Sequence, residues 1–302
     1  MDHLSKGYKN MKKVLIVGSS NMDYTLYIDR FPLPGETFIG KNRFIQPGGK
    51  GANQAAAVAK SLVVETHFIT ALGNDADADT ISKTLKELGI NLHAKIVDGC
   101  TGNATILVDD NSENEIVIIG GANSQLSVSD IDINLIKESE FIILQNEIPL
   151  EVNYYVIKMA KESGTKVIYN PAPYKDIDIN LCKDIDTFIV NEIELSQYSK
   201  CDDVDEGSRK LLNLGIKNVL VTLGKNGSVC YNNKGKRVCE AQRAKAVDTV
   251  AAGDTYVGYF TSYLAITGDI QKSMAIASKA SAVTVSRKGS IVSIPFSKEL
   301  DI

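Results

Sequence analysis

The sequence predicts an α/β fold: a three-layer α/β/α sandwich around a mainly parallel sheet, with a small β-sheet lid at one edge. Two observations predict the sandwich. Short apolar runs rich in Val and Ile recur along the chain, as expected of strands that are covered on both faces. Stretches in which apolar residues recur at helical spacing separate these runs, and such alternation produces parallel βαβ units.

The individual elements follow from these two patterns. The runs predicted as strands are residues 14–17, 67–70, 141–144, 166–169, 187–190 and 218–222. Helical spacing predicts helices over residues 52–60, 76–88, 151–163, 206–214 and 256–266. Gly89 and Gly215 follow two of these helices and are predicted to cap them, because glycine accepts the left-handed conformation found there.

Two segments break the alternation and predict the lid. Residues 24–45 alternate polar and apolar side chains around a turn at 31–35. Residues 101–119 have the pattern of two strands flanking the polar stretch 109–114, which indicates a hairpin. We therefore expect one domain over residues 11–302, with a lid built from about 22–46 and 99–121, preceded by a leader or tag at 1–10.

Composition excludes several classes of function. The chain has 302 residues and a net charge of −4, whereas a dedicated nucleic-acid binder is normally basic. No apolar run approaches the length of a membrane span. The five cysteines are odd in number and form no CxxC pair, which is typical of reduced thiols. These features predict a cytoplasmic protein with neither a nucleic-acid nor a membrane partner.

The stretch from Asp248 to Thr255 is the strongest candidate for chemistry. Its small residues Ala251, Ala252 and Gly253 predict a turn that leads into a helix, where free backbone N–H groups bind anions. Asp254 would repel a resting anion there, so it suits a base that takes a proton from an alcohol while the N–H groups hold phosphoryl charge. The alternative is that Asp254 only caps the helix.

A glycine-lysine segment at residues 47–54 is the second candidate. Its three glycines permit close approach of the backbone to a ligand, and Lys50 and Asn53 supply hydrogen-bond donors. It lacks the GxxxxGK[ST] pattern of a P-loop. A tight turn before a helix is the alternative interpretation.

Polar or glycine-rich segments also follow five of the predicted strands. The carboxyl ends of parallel strands are where open α/β sheets bind ligands, so these segments predict one shared crevice. They contain Asn21 and Asp23, Glu147, residues 170–173, residues 191–194 and residues 222–227.

Together these motifs resemble the ribokinase family of sugar and nucleoside kinases, over residues of about 14–295. Residues 48–54 are similar to the first family signature and residues 247–255 to the second, in the same order. Residues 170–173 and 287–289 strengthen the resemblance. The resemblance implies ATP-dependent phosphorylation of the 5-hydroxyl of D-ribose, with Mg²⁺ and an activating K⁺.

The resemblance also implies roles for particular residues. Asp254 would be the general base, and Ala251, Ala252 and Gly253 would form the anion hole. The sugar would be bound by Asn21, Asp23, Gly48, Gly49, Lys50, Asn53, Glu147 and Asp254. The nucleotide and its magnesium would be bound by Asn191, Glu194, Thr222, Leu223, Gly224, Lys225, Asn226, Gly227, Gly253 and Ser278. Potassium would be held by Asp248, Val250, Thr284, Arg287, Gly289 and Ser293. The lid would form a homodimer interface.

Two departures and two alternatives accompany the resemblance. Tyr256 stands where the family often has phenylalanine, and Ser278 where it often has His or Asn near the adenine. Within the family, the alternative is a deoxyribokinase or another sugar or nucleoside kinase. From another class, a non-catalytic sugar-binding regulator is the alternative, although such a protein is expected to lack Asp254 or Gly253.

Overall fold

The computed structural model describes residues 11–111 and 113–302 of the chain. The predicted leader, residues 1–10, lies outside the described residues. Thirteen strands and eight α-helices occur in the described part. The strands are β1 (Lys13–Val17), β2 (Asn21–Tyr27), β3 (Asn42–Gly48), β4 (Glu65–Leu72), β5 (Asn91–Ile96), β6 (Gly102–Val108), β7 (Asn114–Ile119), β8 (Phe141–Leu144), β9 (Lys166–Tyr169), β10 (Thr187–Asn191), β11 (Asn218–Thr222), β12 (Ser228–Asn232) and β13 (Gly235–Cys239). The helices are α1 (Lys50–Lys60), α2 (Ala76–Glu87), α3 (Ile133–Glu138), α4 (Leu150–Ser163), α5 (Glu192–Ser199), α6 (Val204–Asn213), α7 (Ala252–Thr267) and α8 (Ile270–Val285).

A nine-stranded sheet forms the centre of the sandwich, in the order β13-β12-β11-β10-β9-β8-β1-β4-β5. Seven of these strands are parallel, and β12 and β13 add an antiparallel hairpin at one edge. Alternate residues of β1 enter two different cores. Val14 and Ile16 pack on the side of α1, α7 and α8, whereas Leu15 and Val17 pack on the side of α4 and α6. Both faces of the sheet are therefore covered, and the predicted three-layer sandwich is confirmed.

The lid is a separate four-stranded sheet in the order β3-β2-β6-β7. Strands β6 and β7 form the predicted antiparallel hairpin, and β2 pairs antiparallel with β3 and parallel with β6. Asn21 and Asp23 were expected in a connection after the first strand, but they lie within β2 itself. Gly48, the last residue of β3, pairs with Asn21, the first residue of β2. We call this end of the lid sheet the lid root, and it carries residues predicted to lie in the crevice.

The sequence patterns missed or misplaced several elements. Strands β5, β12 and β13 and helices α3, α5 and α8 were not predicted. The charged stretch at residues 234–237 resembles a solvated turn, but Lys236 and Arg237 lie on β13, an edge strand where charged side chains remain in water. Helix α7 begins at Ala252, four residues before the predicted start, because the small residues before Tyr256 form its first turn.

The predicted glycine caps are found at the ends of two helices. Gly89 and Gly215 lie just beyond α2 and α6 with φ angles of 77° and 100°, so both are in the left-handed region. None of the helices in the described part of the chain is long and apolar enough to cross a bilayer.

Candidate active site

The turn before α7 presents free backbone donors. Ala251 precedes the helix with φ of 60°, a left-handed conformation that is uncommon for a residue with a Cβ. The Ala252 N–H donates to the Thr249 carbonyl at 3.3 Å, and the first α-helical hydrogen bond runs from the Thr255 N–H to the Ala251 carbonyl at 2.8 Å. Among the described residues, no acceptor meets the N–H groups of Gly253 and Asp254. These donors and the positive end of the helix dipole make an anion site.

The carboxylate of Asp254 does not cap its helix. Its Oδ2 accepts from Asn53 Nδ2 at 3.0 Å, and its Oδ1 accepts from Gln54 Nε2 at 2.9 Å. Both donors belong to α1, and the Asp254 residue is only 7% exposed. The capping alternative is therefore wrong, because the side chain points across to α1 instead of back to its own N–H groups.

Glycines at the start of α1 allow the close packing of the lid root. Gly49 caps the helix with φ of 86°, and a Cβ on it would lie 2.8 Å from the Asn21 nitrogen. A Cβ on Gly48 would lie 2.0 Å from an Asp23 carboxylate oxygen. These two positions need glycine because the backbone of the segment passes directly over β2.

Five polar side chains, which we call the polar cluster, surround the same crevice as Asp254. They are Asn21, Asp23, Lys50, Asn53 and Glu147. Glu147 is tied to the start of α1, because its Oε2 accepts from the Lys50 backbone N–H at 3.0 Å and from Ser19 Oγ at 2.5 Å. Asn21 Oδ1 accepts from Asn123 Nδ2 at 2.8 Å. The polar cluster is therefore held by contacts among separate elements.

In the polar cluster, the carboxylates of Asp23 and Glu147, together with Asp254, lie near one cation, Lys50. Burial, together with the charges of Glu147 and Asp254, raises the pKa of Asp23 to about 7. For Lys50, burial acts to lower the pKa, but the charges of Asp254, Glu147 and Glu194 outweigh it and the pKa is raised. Lys50 is therefore a cation that the surrounding carboxylates stabilise.

On the other side of Gly253, a cleft of about 950 Å³ opens between the loops after β10 and β11 and the start of α7. Eight of the predicted site residues line it: Asn191, Thr222, Gly224, Lys225, Gly227, Ala252, Gly253 and Ser278. A cleft of this size suits a nucleotide-sized ligand. Gly253 borders the cleft, and the next residue, Asp254, faces the polar cluster. The first turn of α7 therefore lies between the two regions.

Three predicted nucleotide residues do not line the cleft. Leu223 packs against the apolar core, and Asn226 lies in the short 3₁₀ turn at Gly224–Asn226. Glu194 is engaged with Asn191: the Asn191 N–H donates to Glu194 Oε2 at 3.0 Å, and the Glu194 N–H donates to Asn191 Oδ1 at 2.8 Å. This reciprocal pair is a capping box at the start of α5.

The residues predicted to hold a cation lie in two loops joined by Asp248, except Thr284, which lies in the last turn of α8. Its Oδ1 accepts from the Val250 N–H and its Oδ2 from the Gly289 N–H, each at 3.0 Å. The Arg287 guanidinium turns away to Glu299 at 2.7 Å. The Thr284 hydroxyl lies 3.0 Å from the Thr255 hydroxyl, which links the loops to the first turn of α7. Ser293 Oγ donates to the Ser290 carbonyl at 2.7 Å.

Several residues at the two regions were missed by sequence reasoning. In the crevice these are Ser19, Asn123 and the amide of Gln54, and in the cleft they include residues 241–244 and Ser281. Only Gln54 carried a signal, because it ends the first motif. Nothing in the sequence marked the others, since their roles arise from contacts between distant segments.

Comparisons with known proteins find a matching family model and several relatives of similar length. Residues 11–297 match the family model described as pfkB family carbohydrate kinase. A ribokinase of Staphylococcus aureus is 36% identical over 301 residues, which cover 96% of this chain and 98% of that protein. A deoxyribokinase of Salmonella typhi is also 36% identical, covering 93% of this chain and 95% of that one. A bifunctional ribokinase/ribose-5-phosphate isomerase A of Fructilactobacillus sanfranciscensis is 39% identical over 94% of this chain, and the match spans 55% of that longer protein.

Solved structures show the same fold. The ribokinase from Thermotoga maritima superposes with a TM-score of 0.90 at 37% identity, covering 96% of this chain and 98% of that one. The Arabidopsis thaliana ribokinase, solved in complex with ribose and ATP, gives a TM-score of 0.89 at 31% identity, with 96% and 97% covered.

Proposed function

The chain belongs to the pfkB family of carbohydrate kinases, and we propose that it transfers the γ-phosphoryl group of ATP to the 5-hydroxyl of D-ribose. One observation supports this assignment above the others. Asp254 faces the polar cluster while its neighbour Gly253 borders the cleft, so a sugar and a nucleotide would meet at the first turn of α7.

In this proposal Asp254 is the general base. Its carboxylate accepts the proton of the sugar hydroxyl as the oxygen attacks the γ-phosphorus of ATP. The N–H groups of the turn at Ala251, Ala252 and Gly253 would stabilise the negative charge that develops on the phosphoryl oxygens, and the Ala252 N–H would exchange the Thr249 carbonyl for the phosphoryl group. The strained φ of Ala251 keeps the turn in the shape that exposes these donors.

The polar cluster would bind the sugar. Carboxylates of Asp23 and Glu147 accept hydrogen bonds from hydroxyls, and the side chains of Asn21, Lys50 and Asn53 donate them. A free sugar presents this pattern on every side, whereas a nucleoside requires an apolar or aromatic surface for its base. Ribose is favoured over related sugars by the similarity around Asn21, Lys50 and residues 170–173.

The nucleotide would occupy the cleft, with Thr222, Gly224, Lys225, Gly227 and Ser278 beside it. Mg²⁺ is commonly held in kinases by one or two protein groups, water and the phosphates themselves. Asn191, which lines the cleft, and the Glu194 carboxylate, which the capping box at the start of α5 holds beside Asn191, are the oxygen donors that would hold it. When bound, Mg²⁺ would neutralise charge on the transferring phosphates.

A panel of sugars and nucleosides, assayed by ADP release, tests the substrate. D-Ribose is expected to give the highest kcat/KM, with 2-deoxy-D-ribose as the strongest competitor because a deoxyribokinase is among the relatives. If deoxyribose or a nucleoside gave the highest kcat/KM, that compound would replace ribose as the assigned substrate, and the phosphoryl transfer would stay the same. Sugar binding without ADP release would indicate the non-catalytic regulator.

We also propose that K⁺ binds between the two loops joined by Asp248. The available donors fit an alkali cation: the Asp248 carboxylate, the Ser293 hydroxyl and backbone carbonyls of Val250, Thr284, Arg287 and Gly289. Arg287 can contribute only its carbonyl, because a guanidinium has no acceptor atom, and its pairing with Glu299 holds the positive charge away from the two loops. A bound cation would order the turn through Asp248 without contacting the phosphates.

Potassium is therefore expected to raise turnover several-fold at constant ionic strength, with much less effect from sodium. Asp248→Ala should remove the difference between the two ions, whereas Glu206→Ala, which changes an exposed carboxylate on α6, should keep it. Equal turnover in tetramethylammonium and potassium buffers would show that the loop needs no ion.

Sugar affinity is expected to depend on pH through Asp23. Its pKa is raised to about 7 by burial and by the neighbouring charges of Glu147 and Asp254, so part of the population is protonated at neutral pH. Hydroxyl donors bind the ionised form, so affinity should increase as pH rises from about 6 to 8 and level off above it. Calorimetry of ribose binding in buffers of different ionisation enthalpy should show proton release at pH 7. Binding that is independent of pH, with no proton release, would contradict this role of Asp23.

A homodimer formed through the lid, in the cytoplasm, completes the proposal. Strand β7 is the edge of the lid sheet, and its residues Ile116 to Ile119 are each more than half exposed, at 52–64%. A second lid would cover such a strip of apolar side chains. Sedimentation measurements on the wild type and on Ile118→Lys would test it.

A further inference from the structure

Gln54 makes a buried contact that neither the motifs nor the proposed reaction explains. Its amide is fully buried and uses both N–H groups. One donates to Asp254 Oδ1 at 2.9 Å and the other to Asn170 Oδ1 at 3.1 Å. Gln54 therefore joins α1, the end of β9 and the start of α7 through one side chain.

The orientation of this amide is fixed from behind. Gln145 Nε2, at the end of β8, donates to Gln54 Oε1 at 2.7 Å. A flipped Gln54 amide would place its NH₂ group against the Gln145 donor and its oxygen against the Asp254 carboxylate. The only satisfied arrangement is the one in which Gln54 donates to Asp254.

The Asn170 side chain and the Gln145 backbone are anchored to neighbouring elements. Asn170 Nδ2 donates to the Ile189 carbonyl on β10 at 2.9 Å, which leaves its oxygen facing Gln54. The backbone carbonyl of Gln145 accepts from Asn153 Nδ2 at 2.7 Å. A chain of hydrogen bonds thus extends from α4 and two strands to the carboxylate of Asp254.

An apolar core would be the simpler solution at this place. Gln54 and Gln145 are both fully buried, and burying amides is unfavourable unless they are paired. Gln145 Oε1 is left without a partner among the described residues. The amide that carries this unsatisfied oxygen is the one whose Nε2 orients Gln54. This favours a role of Gln145 in the site over a role in packing.

We infer that Gln54 is a positioning residue that orients the plane of the Asp254 carboxylate toward the sugar hydroxyl. Gln145 and Asn170 fix the orientation of the Gln54 amide by hydrogen bonds. This inference rests on the proposed reaction. Asn53 holds Oδ2 of the carboxylate and Gln54 holds Oδ1, so the plane is defined from two points of α1. Neither Gln54 nor Gln145 needs to contact the substrate for this role.

The test removes the amide while keeping the volume. Gln54→Met is expected to lower kcat by about 10- to 100-fold, since a small misplacement of a reacting group has effects of that size. KM for ribose and for ATP should stay within about twofold, because the polar cluster and the cleft are untouched. Gln145→Met should lower kcat less, since Gln54 remains beside Asp254.

The double variant separates positioning from packing. If Gln145 acts only through Gln54, then Gln54→Met with Gln145→Met should have the kcat of Gln54→Met alone, because coupled residues are not additive. Asn218→Met is the control. It removes a partly buried amide at the start of β11, whereas the cleft lies at the other end of that strand, so this variant should keep full turnover.

Three results would overturn the inference: full turnover in Gln54→Met, a loss confined to KM, or additive effects in the double variant. If Gln54→Met does not fold, Gln145→Met still decides, because unchanged kcat in that variant contradicts the relay. If another sugar proves to be the substrate, the same comparison is made with that sugar, so failure of the ribose assignment and failure of the Gln54 role are distinct.

Discussion

Asp254→Asn is expected to abolish most turnover while leaving the fold and ribose binding largely intact. The substitution preserves the shape of the side chain but removes the group that accepts the proton, and general-base catalysis contributes about 10²- to 10⁴-fold. Steady-state kinetics should therefore show kcat lower by at least that factor, with KM for ATP little changed. A variant that keeps a tenth of the wild-type kcat would contradict the assignment of Asp254 as base.

Structural damage must be separated from the loss of the base. In Asp254→Asn, the Asn53 and Gln54 amides face one oxygen and one NH₂ group, so one of the two donors loses its acceptor. A small decrease in Tm is therefore expected, and calorimetric binding of ribose should confirm a competent site. Asp269→Asn is the matched control, because Asp269 caps α8 and asparagine caps equally well. That variant should retain full turnover.

The central sheet was predictable because its strands are buried on both faces. Each of the six predicted runs lies in an observed strand, since short runs rich in Val and Ile are typical of strands that are covered on both faces. Strand β5 was missed because its residues alternate between exposed and half-buried, as at the edge of a sheet. Helix α8 was missed because its small residues, among them Ala277 and Ala280, pack against α7 without a clear apolar stripe.

The candidate site could be predicted only where it lies in local motifs. Asp254, Lys50 and Asn53 belong to short segments whose composition is unusual on its own. By contrast, Asn123 reaches Asn21 from a point about a hundred residues later, and no local pattern marks it. Gln145 and Asn170 follow two different strands, and their relation to Asp254 depends on the position of α1 between them. Tertiary contacts of this kind are set by the packing of elements and leave no spacing in the sequence.

Lys50→Ala is expected to weaken sugar binding far more than nucleotide binding. Lys50 is the cation among the carboxylates of the polar cluster, and the charges of Asp254 and Glu147 help to raise its pKa above the usual value although burial opposes this. Without it, a sugar hydroxyl loses a charged donor and the carboxylates repel one another. A lost hydrogen bond of this kind costs about 1–3 kcal/mol, so KM for ribose should rise roughly 5- to 150-fold. Asn53→Ala should act in the same direction.

A second lysine provides the mirror experiment. Lys225 lines the cleft on the far side of Gly253, so Lys225→Ala should raise KM for ATP while leaving KM for ribose nearly unchanged. The two lysine variants together test the placement of both substrates, because each reports on one side of the first turn of α7. If Lys50→Ala acted mainly on ATP, the glycine-lysine segment would belong to the nucleotide and the polar cluster would need another ligand. A loss confined to ribose in Lys50→Ala and to ATP in Lys225→Ala would support a transferred phosphoryl group between the two lysines, beside the free N–H group of Gly253.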